Sequence, residues 1–75
     1  MTTNREQQRL RRQLIRQLEA ELRRCGAITD IRWQLTQTGM TADGIWAVEL
    51  PIRRRIREER AAAGAARTEL RKAAA

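Results

Sequence analysis

The chain has 75 residues, with 16 Lys and Arg against nine Asp and Glu, no His, one Cys and a formal net charge of +7. That length fits one domain, residues 1–75. Without His, and with Cys25 alone, there is no zinc ligand set, no His-based base or triad and no internal disulfide. No run approaches the ~18–20 apolar residues of a membrane span, and Met1-Thr2-Thr3-Asn4-Arg5-Glu6 lacks the apolar segment of a signal peptide. The expectation is a cytoplasmic, non-enzymatic binding protein that uses no cofactor, metal, membrane or small-molecule substrate. Seven Leu, six Ile and one Val make a thin core, so a homodimer or another partner is expected to reinforce it.

Residues 3–25 read as an amphipathic helix. Thr3 and Glu6 match a capping box, and Gly26 suits the position after the last turn. Leu10, Leu14, Leu18 and Leu22, with Ile15 and Cys25, fall on one face at 3.6-residue spacing. Cys25 is expected there as a small buried hydrophobe, since a thiolate is disfavoured at a helix C-terminus.

Residues 27–52 change period. Ile31, Trp33 and Leu35 alternate with polar residues, as do Trp46, Val48, Leu50 and Ile52, which predicts two strands. Thr38 to Gly44 lies between them and ends in the turn dipeptide Asp43-Gly44. Pairing Leu35 with Val48 and Trp33 with Leu50 sets apolar against apolar. Trp33 and Trp46 then face inward, as core or dimer-interface residues with Leu14, Leu18, Leu22, Leu35, Val48 and Leu50. That orientation leaves no aromatic platform for stacking bases.

Pro51 marks the junction to a basic second helix from about Arg53, whose residues 61–75 form an Ala-rich tail expected to fray. The fold expected is therefore α+β, in the order α-β-β-α: a long N-terminal helix, an antiparallel β-hairpin packed on it, and a basic C-terminal helix. Association is expected through hairpin edges or leucine faces.

The carboxylates mostly sit at helical spacing beside an Arg, as exposed ion pairs do, and the four glycines form no phosphate-cradling loop. Charge is the informative feature. Residues 1–25 carry net +4, residues 26–52 net −2 and residues 53–75 net +5. Arg5, Arg9, Arg12 and Arg16 line the first helix opposite its leucines. Arg23 continues that stripe, Arg53, Arg57, Arg60, Arg67 and Arg71 line one face of the second helix, and Arg53-Arg54-Arg55-Ile56-Arg57 is the densest cluster. Two basic stripes predict contact with a phosphate backbone by a small nucleic-acid-binding, DNA-directed and regulatory protein. The alternative is an adaptor or inhibitor of the phage or mobile-element kind that docks on an acidic surface of a host protein. The turn segment carries no positive charge, unlike a DNA-binding wing, and no helix-turn-helix pattern is present.

Overall fold

The computed structural model describes residues 3–74 and contains three helices: α1 (Asn4–Arg23), α2 (Thr29–Gln37) and α3 (Ala42–Ala74). The fold is all-helical. Helix α1 begins at the capping box: the Glu6 amide donates to Thr3 Oγ1 at 3.2 Å, and the Thr3 amide to Glu6 Oε2 at 3.4 Å. Leu14 and Leu18 on its inner face are buried against Ile31 and Leu35 of α2 and Ile45 of α3. Ile15, Leu22, Ile28 and Met40 close the edges of this core, and Ile52 and Ile56 are buried further along α3.

The expected β-hairpin does not form, and no residue among those described is in a strand. The segment between α1 and α3 has a helical period instead. Ile28, Ile31 and Leu35 stand at i, i+3 and i+7, so one face of α2 points inward and the intervening Trp33 points out. Trp33 is 63 % exposed and Trp46 51 % exposed. Neither is a core residue of the protomer, and Leu50 is also exposed while Val48 is half-buried. Asp43-Gly44 is no tight turn. It lies in the first turn of α3, where Thr41 Oγ1 accepts from the Gly44 amide at 3.1 Å and Asp43 faces the positive end of the helix dipole. The hairpin edges expected to carry association do not exist; on the leucine face Leu14 and Leu18 are buried within the chain, while Leu10 is 43 % exposed.

Two matched bends fold the chain back after α1 and α2. At each, the residue two past the cap donates to a carbonyl five back, and its predecessor to one three back, as in a Schellman motif. After α2 these are Met40 to Leu35 at 3.3 Å and Gly39 to Thr36 at 3.0 Å; after α1, Gly26 to Glu21 at 2.8 Å and Cys25 to Leu22 at 3.3 Å. The left-handed residue is Gly39 in the first (φ +94°) and Cys25, one residue before the expected Gly26, in the second (φ +57°). Cys25 is consequently exposed beyond the end of α1 and is not part of its apolar face.

Helix α3 runs through Pro51 without ending there. Proline removes the amide that would donate to Ala47, an exposed residue whose carbonyl water can reach. Burial of Ile45, Ile52 and Ile56 on either side holds the helix together across that gap. Beyond Ile56 every described residue of α3 is exposed, yet the helix continues to Ala74, and the expected Ala-rich tail is its last turns; Ala75, like residues 1–2, lies outside the described residues. The packed half supplies the nucleus that an isolated helix of that length would lack. The molecule is accordingly elongated, 63 × 20 × 18 Å.

Three thermal or chemical denaturation measurements check this architecture. Leu35→Ala is expected to cost about 2–5 kcal/mol, whereas exposed Trp33→Ala stays below about 1 kcal/mol; equal losses would return Trp33 to a core. Cys25→Gly is expected to stabilise by about 1 kcal/mol, because glycine takes the left-handed position without the Cβ clash. A destabilised glycine variant would contradict the bend described after α1.

Candidate nucleic-acid interface

The site is organised around one carboxylate. Glu49 is placed by helical spacing on the buried stripe of α3, between Ile45 and Ile52, and is 1 % exposed. A lone buried carboxylate would be costly, and two arginines meet it. Arg32 of α2 donates through Nε at 3.1 Å and Nη2 at 2.5 Å in a fork. Arg53, one turn along α3, donates through Nε at 2.8 Å, with its Nη2 2.6 Å from the same carboxylate. Each guanidinium keeps Nη1 out of these bonds, and the two arginine side chains are about two-fifths exposed (42 % and 41 %). The trio carries net +1. Burial pushes the Glu49 carboxyl up, but hydrogen bonds from Arg32 and Arg53 pull it down by more in sum, leaving it below its ordinary value of 4.5. The bond from Glu49 in turn raises Arg32.

Arg53 also borders a hollow of about 240 Å³ with Arg57, Arg60, Leu22 and Ile56. Three guanidinium-bearing side chains converge there and no carboxylate lines it. Arg60 is steadied by donating through Nη2 to the Arg23 carbonyl at 3.1 Å and to Cys25 Sγ at 3.5 Å. A cation at the C-terminal end of α1 suits the helix dipole. Among the described residues Arg57 has no ion-pair partner.

The other sequence-predicted arginines divide. Arg55 is turned to the opposite side of α3 and pairs with Glu19 of α1. Arg54 lies about 100° round the helix from Arg53, so the run Arg53-Arg54-Arg55 is three directions and not one cluster. Arg5, Arg9, Arg12 and Arg16 are exposed along the outer face of α1 and take part in no ion pair among the described residues, but they do not line the hollow. Arg23, from the same stripe, pairs with Glu59 of α3, and the bond lowers the Glu59 carboxyl and raises Arg23. Arg11, on the inner side of α1, donates through Nε to Thr38 Oγ1 at 3.1 Å and also bonds the Thr38 carbonyl, tying α1 to the end of α2.

Sequence reasoning missed a second concavity. Trp33, Thr36 and Arg32 of α2 and Ala42, Ile45, Trp46 and Glu49 of α3 line a mainly apolar groove of about 370 Å³. Arg32 and Glu49 close its floor and Arg53 continues from them into the arginine hollow. Along α3, Trp46, Leu50, Arg53, Arg57 and Arg60 stand at i, i+4, i+7, i+11 and i+14, a single stripe that is apolar at one end and cationic at the other. That spacing was legible in the sequence, once residues 42–60 are read with a period of 3.6. Among the described residues no helix is long and apolar enough to cross a membrane, and no group of three His, Cys, Asp or Glu is placed to hold a metal.

Glu49 makes the stability of the protein pH-dependent. Its folded-state carboxyl lies below the ordinary value, so on acidification the unfolded state takes up the proton first. The ion-pair contribution is therefore fully present well above pH 4.5 and is lost as pH falls through the lower, folded-state value. Glu49→Gln removes the charge and is expected to cost about 2–3 kcal/mol at neutral pH, less than for a fully buried pair because both arginines reach water. The stability gap between the two proteins should close at low pH; a gap constant from neutral to strongly acidic solution would show that the charge contributes nothing.

Comparison of the chain with protein-family models, with curated proteins and with solved structures gives no match.

Proposed function

We propose that this protein binds nucleic acid, and DNA in particular, by seating backbone phosphates against arginine side chains. The observation that carries the reading is the hollow where Arg53, Arg57 and Arg60 converge with no acidic residue among its lining. A guanidinium presents up to five donors in a planar fork that matches phosphate oxygens, and Leu22 and Ile56 line the hollow beside the three arginines. The net charge of +7 draws a polyanion from a distance, and the exposed Arg5, Arg9, Arg12 and Arg16 on α1 add a second row of cations. Contacts of this kind give affinity and orientation with little sequence information.

An acidic protein surface would also satisfy arginines, but counterion release separates the two partners. Binding to DNA should weaken steeply with salt, the slope of log K against log salt being about −0.9 for each phosphate engaged on duplex and about −0.7 on a single strand. Arg57→Gln, which breaks no ion pair within the protein, should flatten that slope by roughly one contact while circular dichroism stays unchanged. No binding at low salt, or a slope indifferent to Arg57→Gln and to the pair Arg9→Gln and Arg12→Gln, would remove the proposal.

A further inference from the structure

We infer that the Trp33–Trp46 groove is a base-stacking slot, and that the nucleic acid this protein takes is single-stranded, with a base held at the tryptophans and its phosphates led towards the Arg53–Arg57–Arg60 hollow. The inference rests on the nucleic-acid reading above and goes beyond it in naming the form of the strand and the residues that distinguish it.

The argument begins with the cost of exposing indole rings. The only two aromatic residues of the chain are both more than half exposed, come from different helices, and line one concavity. Nothing in the packing of the core requires either ring to be there, since Leu14, Leu18, Ile31, Leu35 and Ile45 close it without them. An apolar slot could take an apolar side chain of another protein. Charge complementarity favours a planar ring on an anionic chain instead. Arg32 and Glu49 form the floor of the slot, and Glu49 is bonded in turn to Arg53; the trio is net positive and leaves Nη1 of each arginine outside these bonds. From that floor the α3 stripe continues only through cations, and Arg57 lies about 16 Å along the axis from Trp46. A slot for flat apolar faces, followed along one helix stripe by a carboxylate-free group of arginines, has the arrangement by which single strands are held without sequence preference. A duplex keeps its bases paired and cannot offer one to the slot.

The test uses the full chain and its own tryptophan emission. The probes are a short oligodeoxythymidine, the same strand with abasic sites in place of the bases, the matching oligouridine, and a duplex of equal length. The expected result is quenching by oligodeoxythymidine, with an affinity roughly tenfold or more above that of the abasic strand, and weaker binding without quenching by duplex. Trp33→Leu and Trp46→Leu, at exposed positions, should each abolish the advantage of the based strand while leaving the salt slope unchanged. Equal affinity for based, abasic and duplex probes with unaltered emission would overturn the slot and leave phosphate binding standing. Tighter binding of oligouridine would overturn the choice of DNA made above and leave the slot standing. No binding of any probe at low salt would overturn both readings. Emission that shifts with protein concentration alone would show the groove covered by a second copy, and tighter seating of an acidic, Leu-rich peptide than of any strand would assign it to a protein partner; either outcome overturns the slot. The wild-type comparison of based and abasic strands decides the matter even if a tryptophan variant fails to fold.

Discussion

The architecture depends on a carboxylate held dry between two helices. Glu49 occupies the place on α3 where an apolar residue would continue the line from Ile45 to Ile52. Its burial is tolerable only because Arg32 reaches across from α2 and Arg53 comes from the next turn of α3. An ion pair of this sort adds less stability than well-packed aliphatic side chains would, since desolvation offsets most of the attraction. What it adds is direction: a forked bond fixes how α2 lies on α3, and with it the distance between Trp33 and Trp46. Arg32 and Glu49 also line the aromatic groove and Arg53 the arginine hollow, so one set of bonds holds the helices together and joins the two candidate sites.

That carboxylate also explains what the sequence conceals. A helix from Ala42 to Ile56 should show apolar residues at 45, 49, 52 and 56, and the second of the four is an acid. With it removed, Trp46, Val48, Leu50 and Ile52 remain as an alternating run with the signature of a strand. The Ile31, Trp33, Leu35 run misleads for a related reason: Trp33 is an exposed functional candidate on an otherwise helical pattern of Ile28, Ile31 and Leu35. β-Branched and aromatic residues bias any local reading towards strands, and tertiary burial overrides the bias. Helix α1 was legible throughout because its capping box, leucine period and charged outer face agree with one another.

The candidate site was legible in part. Arg53, Arg57 and Arg60 could be named from charge alone, but their convergence could not, because it needs the end of α1 to bring Leu22 and the Arg23 carbonyl alongside α3. Adjacent arginines in a linear sequence look like a cluster; on a helix they diverge by about 100° each. Arg55 thereby serves as a strap to Glu19, and its charge is no longer available in the way that Arg57's is. The tryptophans were the more hidden element, since an inward-facing hairpin assigns them to a core and leaves nothing aromatic on the surface.

The overhang of α3 has an electrostatic consequence of its own. Arg67, Arg71 and Lys72 ride on a helix that has left the body of the protein, with only Glu69 to oppose them. At 1.5 Å per residue, Arg71 stands about 16 Å beyond Arg60. At physiological ionic strength a charge is felt over roughly 8 Å, so the tip and the hollow are separate sources of potential, each blind to the other. On the nucleic-acid reading proposed above, the tip would be a weak and sequence-indifferent capture point for a polyanion, carried on a stiff rod. Lowering the salt lengthens the screening distance until the two fields merge and α3 acts as one charged antenna, so the capture rate of this protein should respond to ionic strength more sharply than that of a compact domain with the same net charge.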